Sequence, residues 1–116
     1  MSAQKQLVER YFEGFRRGDH TMILACLNDD VIWDLPGFRH LAGKAAFDGE
    51  IENPDFTGRP TLTIDRLVEE AGTVVAIGSG EATQSGGAVF RFAYCDVFTF
   101  DGELIGRVES YLVPLA

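Results

Sequence analysis

A single carboxylate, Asp96, lies in the middle of an aromatic stripe in the stretch RFAYCDVFTF at residues 91–100. Because strand side chains alternate between the two faces of a sheet, Asp96 shares one face with four aromatic side chains. These are Phe92, Tyr94, Phe98 and Phe100. A carboxylate on an apolar face is costly unless it is paired, protonated or used in binding or catalysis. The position of Asp96 therefore predicts either a structural ion pair or a site of chemistry.

The next strand supplies the polar groups that Asp96 is expected to meet. Asp101-Gly102 favours a two-residue type I′ hairpin turn. With that turn, Asp96 lies opposite Arg107, and Glu109 and Tyr111 follow on the same face. The sequence therefore predicts a cluster of charged groups inside an aromatic wall.

Two interpretations of this cluster stay open. In the first, Asp96 and Arg107 form a cross-strand ion pair that Glu109 completes, and the network serves only the fold. In the second, the polar groups converge in a concave apolar pocket, which is the usual form of a small-molecule site. Glu81 on the preceding strand joins the cluster unless a bulge near residues 78–80 moves it.

The second interpretation needs walls, and the helices and the first strand supply them. Tyr11 on the first helix and Trp33 on the first strand would close the pocket. The side chains expected to bind a ligand there are Phe15, Trp33, Leu35, Phe47, Glu81, Phe92, Tyr94, Phe98, Arg107 and Tyr111.

The elements that must position these residues follow from the hydrophobic periodicity. Helices are predicted over residues 3–17, 20–27 and 43–51, and strands over residues 31–35, 61–69, 73–84, 88–100 and 103–113. Gly18 favours the end of the first helix, and Asp19 favours the N-cap of the second. Helices followed by a strand meander predict an α+β domain, with three helices packed on a curved antiparallel sheet.

Composition limits the class of protein. A chain of 116 residues forms one domain, residues 1–116. The net charge of −8 argues against nucleic acid and against anionic membranes as partners. The first residues carry no apolar signal segment, so a cytoplasmic protein is expected. The two histidines, His20 and His40, lie far apart in the sequence, and neither a metal nor another cofactor is expected.

The chain resembles the cone-shaped α+β family that includes nuclear transport factor two, ketosteroid isomerase and the SnoaL-like polyketide cyclases. The resemblance rests on VERYFEGFRRGD at residues 8–19, LNDDVIWDLPG at residues 27–37 and CDVFTFDGELI at residues 95–105. It implies a cone that encloses a pocket, chemistry without a cofactor, and a homodimer formed through the outer face of the sheet.

The resemblance also implies roles for particular residues. Tyr11 matches the oxyanion-hole tyrosine of ketosteroid isomerase, and Asp96 matches its protonated oxyanion-hole aspartate. The general base of that enzyme falls on Leu35, while Asp34 is expected on the other side of the strand. Glu109 matches the place of a catalytic carboxylate in the SnoaL-like cyclases.

The leading hypothesis is that the chain binds a small, largely apolar carbonyl compound and transfers a proton on it, in an isomerisation or an aldol-type cyclisation. Glu109 would be the base, Tyr11 would stabilise the oxyanion, and Asp96 and Arg107 would position these groups. One alternative is a ligand-binding or dimerisation module with a vestigial pocket. Another is epoxide hydrolysis.

Overall fold

The computed structural model describes residues 2–115, which form three helices and six strands. The helices are α1 (Ala3–Arg17), α2 (His20–Leu24) and α3 (Lys44–Ile51). The strands are β1 (Leu27–Leu35), β2 (Arg39–Ala42), β3 (Phe56–Glu70), β4 (Thr73–Gln84), β5 (Val89–Asp101) and β6 (Leu104–Pro114). No helix within residues 2–115 combines the length and the apolar character that crossing a membrane requires.

The strands form one six-stranded sheet in the order β2-β1-β6-β5-β4-β3. Every neighbouring pair is antiparallel except β1 and β6, which are parallel. The α+β cone predicted from the sequence is confirmed. The prediction lacked β2, which pairs with β1 after the Pro36-Gly37 turn and is too short to show alternation. The predicted second helix was too long, because residues from Leu27 onward belong to β1.

The two predicted caps set the angle between α1 and α2. Gly18 adopts the left-handed conformation, with φ of 63°, and its amide donates to the carbonyl of Phe15. The Asp19 side chain then accepts from the Met22 amide at 3.0 Å and begins α2. The tight turn folds α2 back against Gly14, where a Cβ atom would lie 2.5 Å from Ile23.

The helices cover one face of the sheet and form the core with it. The buried side chains that meet there come from α1, α2, α3 and the inward positions of four strands, β1, β4, β5 and β6. They include Val8, Tyr11, Phe12, Ile23, Phe47, Val31, Val74, Ala76, Tyr94, Phe98, Ile105 and Val108. Burial of apolar area on this scale is the main stabilising contribution to a domain of this size.

The hairpin between β5 and β6 differs from the prediction in two ways. The turn residues are Gly102 and Glu103 rather than Asp101 and Gly102, and Gly102 has a φ of 66°. In addition, Phe100 pairs with Ile105 but Thr99 pairs with Arg107, so Gly106 is an unpaired bulge residue. A bulge in one strand changes which side chains face inward from that point onward.

The predicted cross-strand partners of Asp96 and Tyr94 were therefore wrong. Asp96 pairs with Ser110 rather than with Arg107, and Tyr94 pairs with Leu112 rather than with Glu109. Moving the turn shifts the β6 partner of each β5 residue by two positions, so the partner still points to the same face of the sheet. The bulge shifts the partner by one more position, so the side chain that meets Asp96 comes from the opposite face of the predicted strand.

Glycines on the inward face of β4 make room for the rings of β5. A Cβ atom on Gly78 would lie 1.9 Å from the Thr63 carbonyl oxygen and 2.6 Å from the Tyr94 hydroxyl. On Gly80 it would lie 2.9 Å from Phe92. Contacts below 3.0 Å force neighbouring atoms to move, so these two glycines allow the aromatic stripe to lie flat over β4.

We expect Gly78→Ala to lower the free energy of unfolding by about 1–3 kcal/mol or more, because the added methyl group overpacks this region. Gly49→Ala is the matched control: it lies within α3, has open space at its Cβ position, and should stabilise the helix by about 0.5–1 kcal/mol. Urea unfolding of both variants checks this. Equal stabilities would contradict the close packing over Gly78.

Candidate functional site

An open cavity of about 630 Å³ lies between the sheet, α1 and the segment that links α3 to β3. The apolar part of its lining consists of Tyr11, Phe12, Phe15, Trp33, Leu35, Ile51, Phe56, Pro60, Leu62, Ala82, Phe92, Tyr94 and Leu112. The polar part consists of Glu50, Glu52, Asn53, Thr57, Arg59, Asp96 and Ser110. A large apolar wall with a few polar groups is the usual form of a small-molecule site.

Asp96 is the most deeply buried ionisable carboxyl group of this lining, with 8% of its surface exposed. Burial disfavours the charged form and raises its pKa from 3.8 to about 7, while a hydrogen bond with Ser110 acts in the opposite direction. The Oδ1 atom of Asp96 has no hydrogen-bond partner within residues 2–115. An unpaired buried acceptor in a native protein calls for a specific explanation, such as a bound proton or a catalytic role.

A hydrogen-bonded chain orients the other side of this carboxyl group. The Trp33 indole Nε1 donates to the Ser110 Oγ at 3.0 Å, and Ser110 is the cross-strand partner of Asp96. Because Ser110 Oγ accepts from Trp33, its own hydrogen is left to donate to Asp96. The chain from Trp33 through Ser110 to Asp96 thus joins three strands of the sheet and fixes the carboxyl group in the cavity.

Two tyrosines lie close enough to Asp96 for its charge to affect them. Burial, followed by the charge of Asp96, raises the pKa of Tyr11 well above its usual value, so this hydroxyl stays protonated. Burial raises the pKa of Tyr94 in the same way, and its hydroxyl donates to the Thr63 carbonyl oxygen at 2.8 Å. The Tyr94 hydroxyl therefore uses its hydrogen within the sheet, and Tyr11 is the tyrosine whose hydroxyl can donate to a ligand.

The structure brings seven of the predicted site residues to the cavity. These are Tyr11, Phe15, Trp33, Leu35, Phe92, Tyr94 and Asp96. Phe47 and Phe98 are fully buried behind them, where Phe47 stacks on Trp33 at 4.2 Å and Phe98 meets Tyr11 at 5.1 Å. They support the wall but do not line it.

Four predicted residues lie elsewhere. Glu81 points to the outer face of the sheet and pairs with Arg91 at 3.5 Å. No bulge interrupts this pairing, and Ala76 lies opposite Asp96, so the even-numbered positions of β4 face inward. Arg107, Glu109 and Tyr111 also point outward, because the bulge at Gly106 reverses β6. The expected meeting of Asp96 with Arg107 and Glu109 was therefore wrong, and Glu109 cannot reach a ligand beside Asp96.

The outward residues of β6 form a second cluster with β1 and β2. Arg107 bonds Asp34 and approaches Glu109 at 3.7 Å, and the Tyr111 hydroxyl donates to Glu109 at 3.1 Å. The His40 Nδ1 bonds the other oxygen of Asp34. The hydrogen bond from His40 and the charge of Arg107 lower the pKa of Asp34. Asp34 faces away from the cavity, as the sequence predicted, and its charge is satisfied outside it.

Sequence reasoning missed several residues of the cavity. Ser110 and Leu112 were missed because the register was wrong, although Gly106 inside a strand was a signal for a bulge. Leu62 and Ala82 lie on predicted strands but were not placed in the pocket. Residues 52–60, which form much of the mouth, lie outside every element that the periodicity predicted.

The chain matches the family model described as SnoaL-like domain over residues 8–108. It belongs to the SnoaL-like domain family. The match confirms the resemblance found in the sequence, and it covers both Tyr11 and Asp96. No curated protein matches the chain.

Solved structures share the fold over nearly the whole chain. An NTF2-like protein of unknown function from Burkholderia pseudomallei has a TM-score of 0.90 and 23% identity, covering 97% of this chain and 92% of its own. A protein described as a candidate polyketide cyclase, from Xanthomonas campestris, has a TM-score of 0.84 and 25% identity, covering 94% and 89%. An LEH-like epoxide hydrolase from M. tuberculosis has a TM-score of 0.84 and 18% identity, covering 96% and 83%.

The raised pKa of Asp96 predicts a pH-dependent stability. The folded chain binds the proton of Asp96 more tightly than the unfolded chain, so stability falls as the pH rises from about 4 to about 7 and is level above that. The loss attributable to Asp96 is on the order of 4 kcal/mol. We expect Asp96→Asn to gain stability relative to the parent chain over this range.

Chemical unfolding of both proteins between pH 4 and pH 8 measures this difference. Glu103→Gln, which removes an exposed carboxylate at the β5–β6 turn, is the control and should follow the parent curve. A constant difference between Asp96→Asn and the parent chain at every pH would show that Asp96 titrates normally.

Proposed function

We propose that the chain binds a small, largely apolar carbonyl compound in the cone cavity and catalyses proton transfer on it without a cofactor. The observation that carries the proposal is Asp96: a buried carboxyl group with a pKa of about 7, one oxygen of which lacks a protein partner. General acid–base groups work best when their pKa lies near the working pH. A purely structural carboxylate in a core is normally paired instead.

Asp96 takes the role that the sequence had given to Glu109. In the ionised form, its carboxylate removes a proton from the carbon next to the ligand carbonyl, and the electron pair of that C–H bond moves into an enolate. The protonated Asp96 then returns the proton to a different carbon, which completes an isomerisation. In a cyclisation, the enolate carbon instead attacks a second carbonyl group of the same molecule, whose π electrons move to its oxygen, and this alkoxide takes the proton from Asp96.

Tyr11 is the group that stabilises the enolate oxygen. Its hydroxyl stays protonated because burial and the charge of Asp96 raise its pKa. It lines the cavity with Asp96 and is close enough to respond to that charge. A neutral donor that is already fixed in an apolar site stabilises developing negative charge without reorganisation.

The aromatic and aliphatic lining determines the kind of ligand. A volume of about 630 Å³ with polar groups concentrated at the mouth suits a compound of two to four fused or linked rings. The similar structure described as a candidate polyketide cyclase supports a ring-forming or ring-modifying role, whereas the epoxide hydrolase shows the fold alone.

Hydrogen–deuterium exchange tests the proposal without a known product. A panel of bicyclic and tricyclic ketones, enones and 1,3-diketones is incubated with the protein in D₂O, and deuterium uptake next to the carbonyl is followed by NMR. We expect catalysed exchange whose rate rises with pH, with a midpoint near 7, because only ionised Asp96 acts as the base. Asp96→Asn should lower the rate by about 10²–10⁴-fold.

Two further variants sharpen this test. Tyr11→Phe should lower the exchange rate by about 10²-fold or more through loss of the enolate donor. Glu109→Gln should leave the rate unchanged, because Glu109 faces away from the cavity. A rate that depends on Glu109 and not on Asp96 would reject the assignment. Saturable binding without exchange on any compound would favour a ligand-binding protein.

Homodimerisation through the outer face of the sheet stays a prediction. Tyr111 and Val113 lie on this face of β6 with 44% and 59% of their surface exposed. Sedimentation velocity at micromolar concentration should show a dimer, and Val113→Arg should shift it toward monomer because a charge cannot be buried there without a partner. A parent chain that sediments only as monomer would rule out this dimer.

A further inference from the structure

The environment of Asp96 lacks the partner that a buried carboxylate usually has. Within residues 2–115 its Oδ1 accepts no hydrogen bond, and no cationic side chain contributes to its pKa. The other carboxyl group of the lining that is largely buried, Glu50, is paired with Arg39 at 3.3 Å and with Asn53 at 2.7 Å. When ionised, Asp96 is therefore a buried negative charge without a countercharge, and a cationic ligand would neutralise it.

Aromatic rings surround the same carboxyl group. Tyr11 and Tyr94 both respond to its charge, and Trp33 reaches it through Ser110. Phe12 and Phe15 extend this wall, with ring centroids 5.3 Å from Tyr94 and 5.0 Å from Tyr11. The faces of such rings attract cations, and the attraction increases when the cation is removed from water.

The carboxylates at the mouth are paired, so only the net charge of the whole chain favours cations. Glu50 pairs with Arg39 at 3.3 Å, Glu52 lies 3.1 Å from the His20 Nε2, and Arg59 lines the same rim. The net charge of −8 raises the concentration of cations around the chain and lowers that of anions. Inside the cavity, a carboxylate ligand would meet the buried carboxylate, which has no cation beside it.

We propose that the cavity binds hydrophobic secondary and tertiary amines as protonated ammonium ions, with the ammonium N–H donating to the Asp96 carboxylate inside the aromatic wall. Such an amine occupies the place of the carbonyl compound, so it acts as a competitive inhibitor of the proposed proton transfer. Its binding needs only the geometry of the cavity and does not depend on turnover.

The affinity depends on pH in a defined direction. An ammonium ion binds ionised Asp96, so its affinity rises as the pH passes through 7 for an amine that stays protonated. The groups facing Asp96 from the elements around it are Tyr11 on α1, Trp33 on β1, Ala76 on β4, Tyr94 on β5 and Ser110 on β6. The two tyrosines stay neutral there, so Asp96 alone changes charge between pH 6 and pH 8 among these groups.

Calorimetric titration with four matched naphthalene probes tests the proposal. The probes carry a dimethylaminomethyl group, its trimethylammonium analogue, its neutral isobutyl isostere and an acetate group. With a pKa of about 7, the ionised fraction of Asp96 and hence the affinity for the tertiary amine should rise about tenfold from pH 6 to pH 8. The quaternary analogue should bind more weakly because it has no N–H, and the acetate should bind weakest.

Asp96→Asn provides the decisive comparison. This variant should lose most of its affinity for the tertiary amine, and the remaining affinity should no longer depend on pH. It should still bind the neutral isostere, which shows that the cavity is folded. The proposal is overturned if the tertiary amine binds no more tightly than the isostere at pH 8, or if the variant binds it as well as the parent chain does.

The amine titrations and the deuterium-exchange assay together distinguish the amine site from the proposed reaction. Tight amine binding with no deuterium exchange on any ketone would support the amine site and reject the proton transfer. Exchange that depends on Asp96, without amine binding, would do the reverse.

Discussion

The extra residue in β6, Gly106, decides which side chains of that strand meet the cavity. Side chains alternate along a strand, so one unpaired residue reverses the face of everything that follows. With the bulge, Ser110 faces Asp96 and Arg107 faces outward. Without it, the observed turn would place Glu109 opposite Asp96 and bring Arg107 to the same inward face. Charged neighbours on that face would change the pKa of Asp96. The isolation of Asp96 from the charged side chains of β6 depends on this one irregularity.

Once Arg107 is outside, the cost of burying Asp96 is limited by protonation and by one hydrogen bond. A protonated carboxyl group costs far less to bury than a carboxylate, and Ser110 offsets part of the remaining cost of ionisation. Trp33 fixes Ser110 and so ties the position of the acid to the packing of β1 on β6. The carboxyl group is thus held rigidly while it remains easy to ionise near neutral pH, which is a requirement for acid–base chemistry at a fixed position.

The sequence was informative wherever one element carries its own signal. The apolar stripe of α1, the caps at Gly18 and Asp19, the whole span of β4, and the inward positions of Tyr11 and Asp96 follow from local periodicity and turn chemistry. The register of β5 on β6 does not follow from local periodicity. It depends on where a two-residue turn begins and on whether one of the strands contains a bulge. Asp101-Gly102 and Gly102-Glu103 are both acceptable turns, and their difference is decided by packing along the full strands. The parallel pairing of β1 with β6 joins residues far apart in the chain, so no local pattern reports it.

The strand β6 also separates two kinds of charge. On its outer side, Arg107 lies between the carboxylates of Asp34 and Glu109, and His40 bonds Asp34. On its inner side, Ser110 leaves Asp96 as one ionisable carboxyl group without a countercharge. In the proposed reaction, Asp96 therefore acts first as the base and afterwards as the acid. Protonated Asp96 favours a ligand with a hydrogen-bond acceptor, whereas ionised Asp96 favours a ligand with a positive charge. The pH therefore determines which of these two classes of ligand binds more tightly.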